Sequence, residues 1–400
     1  MKFQGASHAF LLIAALGNAQ TVMQGVGKSV HLVNEEMAIL ESQIPRKDLP
    51  CEVKPTDPTL GFDLRFHAGY ELRIPLKELA GDENLLKMLF RVTPARNPDM
   101  PVYFQDSIHV PSIVENASGE TALEGKFDLG EGKYHVDWIV RDRADRICAY
   151  FWDSTAELPS RDKDIVLSIG ANTVEAPRSD QFAEDSPVQR AAAPLLNVKV
   201  LVNFAPQNQN ASAMQPVDTL ALVTMLRRIT RSPRIGKFSV VAFNIQEERV
   251  LYRQSSSDRI DFPALGRAIK NVSPGLVDAK LLANKKGETE FLTDLVRKEM
   301  AGSERPDALI FAGPKYTVTE GSPEDEFKTA ENIGYPVFYL NYNLFPQSVP
   351  WRDSIGRVVR VFGGREYSIT RPRDMFFAVT EMVDRIVESK QGRVATPAAR

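Results

Sequence analysis

Apolar positions in this chain change their period near its middle. In the first part they alternate with polar ones: Phe62, Leu64 and Phe66; Tyr70, Leu72 and Ile74; and Tyr134, Val136, Trp138 and Val140, interleaved with His135, Asp137 and Ile139. A period of two puts apolar side chains on one face of an extended chain and predicts half-buried strands. The stretch Asp128 to Lys133 supplies a glycine-rich turn before the last of these. Arg143 to Arg146 supplies a polar turn before a further strand, Ile147 to Trp152. Short strands joined by turn chemistry predict an antiparallel, immunoglobulin-like sandwich over 60–169. One helical patch, Leu76 to Met88, is expected to pass over its edge.

After the midpoint the pattern is that of alternating strands and helices. Val198 to Phe204 is a nearly continuous apolar run, and Val217 to Ile229 has helical spacing. Phe238 to Phe243 and Val250 to Tyr252 form a strand pair around Gln246, Glu247 and Glu248. Helices over Phe262 to Asn271 and Glu290 to Met300 follow, then strands at Ala308 to Ala312, Val337 to Leu340 and Arg365 to Ile369, and a last helix over Pro372 to Glu388. Strands apolar on both faces, separated by helices, predict an α/β fold, with a doubly wound, mainly parallel sheet covered on each side.

Between the two regimes, 170–194 is small, polar and proline-containing without apolar periodicity, and is read as a linker. An entry segment over 20–59 has one short helical possibility, Asn34 to Ser42, and is otherwise weakly patterned. The α/β domain spans 195–389, and the basic, alanine-rich stretch 390–400 is read as a frayed tail. At the other end, Lys2 precedes a short apolar run from Ala9 to Leu16, with Gly17 and Ala19 before Gln20. These are the parts of a secretory signal peptide over 1–19, and export to the periplasm or beyond the cell is expected; a buried N-terminal helix suits the abrupt polar change less well. The run is shorter than a bilayer span, and no later segment comes closer, so no membrane span is expected.

With 400 residues, 43% hydrophobic and 25% charged, the composition is that of an ordinary two-domain globular protein, and a net charge of −3 gives no overall pull toward nucleic acid. The two cysteines are Cys51 and Cys148. In an oxidising compartment they either form a disulfide or stay as separate buried thiols. The disulfide is expected, because Cys51 sits in a proline-bounded segment with little else to hold it.

The block from Asp353 to Val379, which contains Gly363-Gly364, resembles the closing helix, turn, short strand and last helix of von Willebrand factor A domains. The resemblance covers the second half of the chain; a weaker one links Gly61 to Trp152 with the strand-rich partner that precedes such domains in exported bacterial proteins. Family members that bind metal hold magnesium with an Asp-x-Ser-x-Ser loop after the first strand, a later threonine, and an aspartate after the fourth strand. At the matching positions this chain has Asn203, Ala205 and Gln207, then Thr289, then Ala312. Only the threonine survives. A dication without a fixed carboxylate loses most of its attraction, so no metal and no other cofactor is expected, although Glu288 could replace one acid. The open edge of such a sheet remains the default ligand site, and Asn203, Gln207, Asn208, Thr289, Lys315 and Asn343 are nominated to line it. The implied function is metal-independent docking of an unidentified protein partner.

Enzyme templates find little support. There is no Gly-x-Ser-x-Gly elbow, phosphate loop, dinucleotide fingerprint or His-Glu-x-x-His. All five histidines precede the linker, so a Ser-His hydrolase within the α/β domain is untenable. Acid–base work would fall to carboxylates, and Glu320, Glu324, Asp325 and Glu326 read as a solvated surface. A carboxylate-dependent hydrolase at the sheet edge and a structural envelope component are the alternatives kept. Arg227, Arg228, Arg231 and Arg234 lie where cations complement a helix C-terminus. Tyr134, Trp138 and Trp152 are read as core packing before carbohydrate contact.

Overall fold

The computed structural model describes residues 21–24, 34–82, 84–178, 180–192, 194–211, 213–270, 284–302, 305–328, 333–344 and 353–395. The expected signal peptide, and the end of the expected tail, lie outside the described residues. The chain divides into two compact units, Met1–Ser179 and Asp180–Arg400.

The first unit is built from β1 (Thr21–Gln24), α1 (Asn34–Ser42), β2 (Arg46–Lys47), β3 (Glu52–Leu60), β4 (Phe66–Pro75), β5 (Asn84–Pro94), β6 (Val102–Val110), β7 (Glu120–Leu129), β8 (Gly132–Arg141), β9 (Ile147–Ala156) and β10 (Val174–Glu175). These form two antiparallel sheets, ordered β1-β6-β5-β8-β9-β2 and β10-β7-β4-β3. The apolar faces meet in an aromatic core. Tyr70 of one sheet packs edge-on against Phe90 and Trp138 of the other, at ring-centre distances of 5.6 and 5.2 Å, and Phe127 packs against Phe90. Trp138 and Tyr134 are buried, as core packing requires, whereas Trp152 is half-buried against Tyr70 and Tyr150.

The helical patch expected over Leu76 to Met88 is a correction. Only Leu76–Leu79 coils, as one 3-10 turn, and 84–94 is β5. Leu86, Met88, Phe90 and Val92 are all buried with Lys87 exposed between them, a period of two that the neighbouring leucines disguise.

The entry segment belongs to the sheets. β3 lines the edge beside β4, β2 pairs with β9, and β1 with β6. Cys51 and Cys148 form a disulfide, with Cα atoms 6.4 Å apart. It pins the chain where it leaves β9's side and crosses to the other sheet. The stretch read as a linker is held at both ends: β10 pairs with β7, while Phe182 is buried and Arg227 donates to the carbonyls of Gln181 and Ala183.

The second unit contains β11 (Leu196–Asn203), α2 (Pro216–Thr230), β12 (Ile235–Asn244), β13 (Arg249–Ser257), α3 (Phe262–Lys270), α4 (Gly287–Met300), β14 (Ala308–Pro314), β15 (Val337–Tyr342), α5 (Ser354–Val361), β16 (Arg365–Ile369) and α6 (Pro372–Ala395). One six-stranded sheet has the order β13-β12-β11-β14-β15-β16, parallel except for β13. Counted from its first strand this is the order 3-2-1-4-5-6 of doubly wound folds, and the arrangement is compatible with an A-like domain. On one face Leu201, Val241, Phe311 and Tyr339 pack against Leu292 and Val296 of α4 and Ile355 and Val359 of α5. Strand alternation turns Val200, Val202, Val240 and Ala242 to the opposite face, where α2 contacts β12, β14 and α6.

After α5 the chain turns back at once into β16. Gly363 has φ of +65°, Gly363 N–H bonds to Arg360 O at 2.9 Å, and Gly364 N–H to Val359 O at 2.9 Å. This is a Schellman cap, and a side chain at Gly364 would strike Val359 and the Val337 carbonyl. α6 continues past Ser389 to Ala395, into the stretch read as tail.

Candidate functional site

Parallel strands bring the loops after β11, β12, β14 and β15 to one edge of the sheet, the C-terminal one. At this edge carboxamides do the joining. Asn203, the last residue of β11, is fully buried, and its Oδ1 accepts the Ile245 N–H at 3.2 Å, tying the β11 loop to the β12 loop. Gln207, also buried, accepts the Leu344 N–H at 2.8 Å and donates to Asn343 Oδ1 at 3.5 Å, tying it to the β15 loop. Gln209 donates to the Thr317 carbonyl at 3.0 Å, and Gln246 to the carbonyls of Gln209 and Ala211 at 3.2 and 3.4 Å.

The nominated residues are therefore split among roles. Asn203, Gln207 and Asn343 take part in this network. Asn208 is exposed and closes its own turn, accepting the Asn210 N–H at 3.1 Å. Thr289 donates its hydroxyl to the Glu320 carbonyl at 2.6 Å. Lys315 pairs with Glu366 at 3.0 Å. Gln209 and Gln246 were not foreseen, because their partners are backbone atoms of other loops and leave no local spacing to read.

Magnesium does not fit this set. It requires hard anionic oxygens, and the three side chains at the matching positions direct their oxygens into internal bonds: Asn203 to Ile245, Gln207 to Leu344, Thr289 to Glu320. Ala312 offers nothing. Glu288, the acid that could substitute, accepts the Tyr316 hydroxyl and the Thr319 N–H, both at 2.6 Å. Burial and the neighbouring Glu288 and Glu290 push the Glu248 carboxyl up.

A second group of acids lies between the ends of β14 and β15 and the start of α5. Asp353 precedes α5 and is buried; its Oδ1 accepts the Tyr316 N–H at 3.4 Å. A methyl group on Gly356 would meet Asp353 Oδ2 at 2.8 Å and Glu366 Oε2 at 3.1 Å, so the two carboxyl groups share one small space. Burial, with Glu366 adding to it, raises Asp353 to about 7. Glu366 is held by Lys315 and by Asn341 Nδ2 at 2.8 Å. The resemblance implies a helix after Asp353; the burial of this aspartate is not legible in the sequence. The acids Glu320, Glu324, Asp325 and Glu326 each pair separately, with Lys285, Arg357, Lys328 and Arg297.

In the first unit, Asp63, His67 and Asp128 bring three possible metal donors within 4.8 Å of one another. Both ring nitrogens of His67 are already used: Nδ1 lies 2.7 Å from Asp128 and Nε2 3.0 Å from Asp63. Hydrogen bonds to Asp128 and then Asp63 raise its pKa to about 10, so at neutral pH it is an imidazolium donating to both carboxylates. Arg65 completes the cluster through Asp128 and Glu175. Because the folded pKa lies above the unfolded value near 6.5, the stabilisation is complete below that pH and declines as pH rises through about 10. Urea midpoints of the chain are expected to fall between pH 7 and 10, and the fall to be smaller in His67→Gln. The 41% exposure of the ring limits the size of the effect, and equal slopes in the two proteins would refute the assignment.

No protein-family model matches the chain, and no curated protein does. Among solved structures, it is similar to BatB, a conserved hypothetical protein from Bacteroides thetaiotaomicron, at 14% identity and a TM-score of 0.31, covering 48% of this chain and 99% of that one. It is similar to the PilB minor pilin of Streptococcus sanguinis at 9% identity and a TM-score of 0.29, covering 78% and 89%. A third likeness, at 13% identity and a TM-score of 0.27, is to proximal thread matrix protein 1 of the mussel byssus with a zinc-occupied MIDAS motif, covering 48% and 45%. Strand order, and not superposition at this level, defines the second unit as doubly wound.

Proposed function

We propose that the chain is an exported, non-enzymatic interaction module of the adhesion type, in which an A-like domain with a degenerate metal site docks a protein partner through its sheet edge. The observation that carries this reading is the carboxamide network. Asn203, Gln207, Gln209 and Gln246 join by hydrogen bonds the loops that a metal ion joins in metal-binding A domains, which supports an edge held by carboxamides. A preordered edge offers a partner polar contacts at little entropic cost.

The first unit is read as an immunoglobulin-like sandwich. Its order β3-β4-β7 against β6-β5-β8-β9 corresponds to A-B-E against C′-C-F-G. At the β7–β8 corner, Tyr134 donates its hydroxyl back to the Gly130 carbonyl at 2.9 Å, as a tyrosine corner does. Export is supported by the N-terminal sequence and by the disulfide, which belongs to an oxidising compartment.

A carboxylate-dependent hydrolase is the second reading, favoured by the convergence of Asp353 and Glu366. Against it, Asp353 is buried and bonded to the backbone, and Glu366 is held by Lys315 and Asn341.

The test is a thermal-unfolding titration of the chain with magnesium, manganese and calcium against a chelated control. A ligand of the folded state must raise Tm, and no saturable rise is expected. In parallel, a photo-crosslinking side chain at exposed Asn208 is expected to capture a protein from the producing cells' envelope equally well in chelator and in magnesium. A saturable metal-induced rise, or capture that needs magnesium, would overturn metal-independent docking.

A further inference from the structure

The four arginines near the end of α2 do not share one role. The carbonyls that end this helix are capped by Arg190, whose Nη1 donates to Thr230 O at 2.8 Å and Ser232 O at 3.0 Å. Arg227 and Arg231 both use Asp185, and Arg227 also lies over the Phe262 ring. Arg234 pairs with Asp384 of α6 at 2.8 Å. Arg228 is different. Its guanidinium lies 4.5 Å from the centre of the Phe376 ring, and among the described residues it has neither an ion pair nor a hydrogen bond. Burial, and then the positive charge of Arg231, lower its pKa.

This side chain lines a cavity of about 290 Å³ between the end of α2 and the middle of α6. Around the cavity Arg228, Arg231 and Arg234 face a single carboxylate, Asp384. Ser232 adds a hydroxyl, which no described residue engages. Val379 and Val383 supply an apolar wall. A half-buried guanidinium with its donors unused, beside a second cation and a free hydroxyl, lacks an acceptor of negative charge. Planar N–H forks match oxyanions, and such charge-assisted bonds are the strong ones. The volume is at the lower end of small-ligand pockets, and the valine wall suits a short apolar substituent.

We propose that this cleft binds a small oxyanion, a phosphate or carboxylate group, through Arg228 and the Ser232 hydroxyl. The cleft sits at the N-terminal edge of the sheet, at the opposite end of α2 from the docking loops, so it stands or falls separately from the function proposed above.

The experiment is a thermal-unfolding titration of the whole chain with inorganic phosphate, sulfate or butyrate, with ionic strength held constant by sodium chloride. At least one of these anions is expected to raise Tm saturably above the chloride baseline. Arg228→Gln is expected to weaken the apparent affinity by about tenfold or more. The unliganded variant is expected to melt no lower than the parent, since an unpaired cation beside Arg231 has been removed. Asp384→Asn, which removes the competing carboxylate, is expected to tighten binding, and Arg249→Gln, remote in sequence and paired with Glu247, to leave it unchanged. A response to phosphate and not to butyrate would assign the site to phosphate, and the reverse to carboxylates. No anion effect beyond chloride, or an equal effect in Arg228→Gln, would overturn the proposal.

Discussion

Replacing Cys51 and Cys148 together with alanine is expected to destabilise the first unit by about 4 to 5 kcal/mol, the chain-entropy value for a loop of this size. The bond closes a separation of 97 residues. What it holds is weak by itself. β2 contributes two paired residues to β9, with one further backbone bond from Leu49 to Ile147 at 3.0 Å. β3 is an edge strand that carries Pro55 and Pro58, and its register with β4 shifts between Thr56 and Thr59. Without the bond, the crossing from one sheet to the other is free to fray, and β2 and β3 lose their common anchor. For a unit of this size the loss corresponds to roughly 10 °C in Tm. Hydrogen exchange of peptides from β3 and β9 locates the effect: both are expected to lose protection, more than peptides from β5 or β8. Unchanged melting in the double variant would show that the sheets alone fix the crossing.

The parts of this fold legible in the sequence are those whose partners are close or interchangeable. Val198 to Val202 read as a buried parallel strand because any apolar neighbour on either face satisfies it, and the pattern is intact in every strand of the second unit's sheet except polar β13 and β16. β7 was missed because its buried face is Thr121, Leu123, Gly125, Phe127 and Leu129, in which a threonine and a glycine hide the alternation. Gly125 is small for a reason outside its own strand: a Cβ there would overlap the Tyr70 ring. The start of β5 falls inside the helical patch expected over Leu76 to Met88 for the opposite reason, since Leu79, Leu86 and Leu89 have helical spacing, and pairing with β6 and β8 overrides it. At the sheet edge the residue types were legible position by position. The bonds they make were not, because the one from Leu344 to Gln207 spans 137 residues and no periodicity records it.

Asp353 is expected to make the second unit less stable as pH rises from about 4 to about 7, opposite to the behaviour of most carboxylates. Its folded pKa of about 7 lies above the ordinary value of 3.8, chiefly through burial. Below the lower value both states hold the proton and stability is unaffected. Within the window the native state binds the proton and the unfolded state does not, so each rise in pH favours unfolding; above the window the native state carries the full cost of a buried charge. About three pH units correspond to up to roughly 4 kcal/mol. Asp353→Asn keeps an oxygen for the Tyr316 N–H and presents a donor toward Glu366. It is therefore expected to leave stability nearly unchanged at pH 4.5 and to raise it at pH 8, as calorimetry of the two proteins at both pH values would show. Glu366→Gln removes the neighbouring charge that helps raise Asp353, and is expected to narrow the window. An equal difference between Asp353→Asn and the parent at the two pH values would refute the assignment. A buried acid titrating near neutrality is also what a general acid requires, and the two roles separate cleanly. A catalytic Asp353 would be needed for turnover at pH 8 as well as being costly there, whereas a residue that only starts α5 yields a variant that is more stable and unaltered in partner binding.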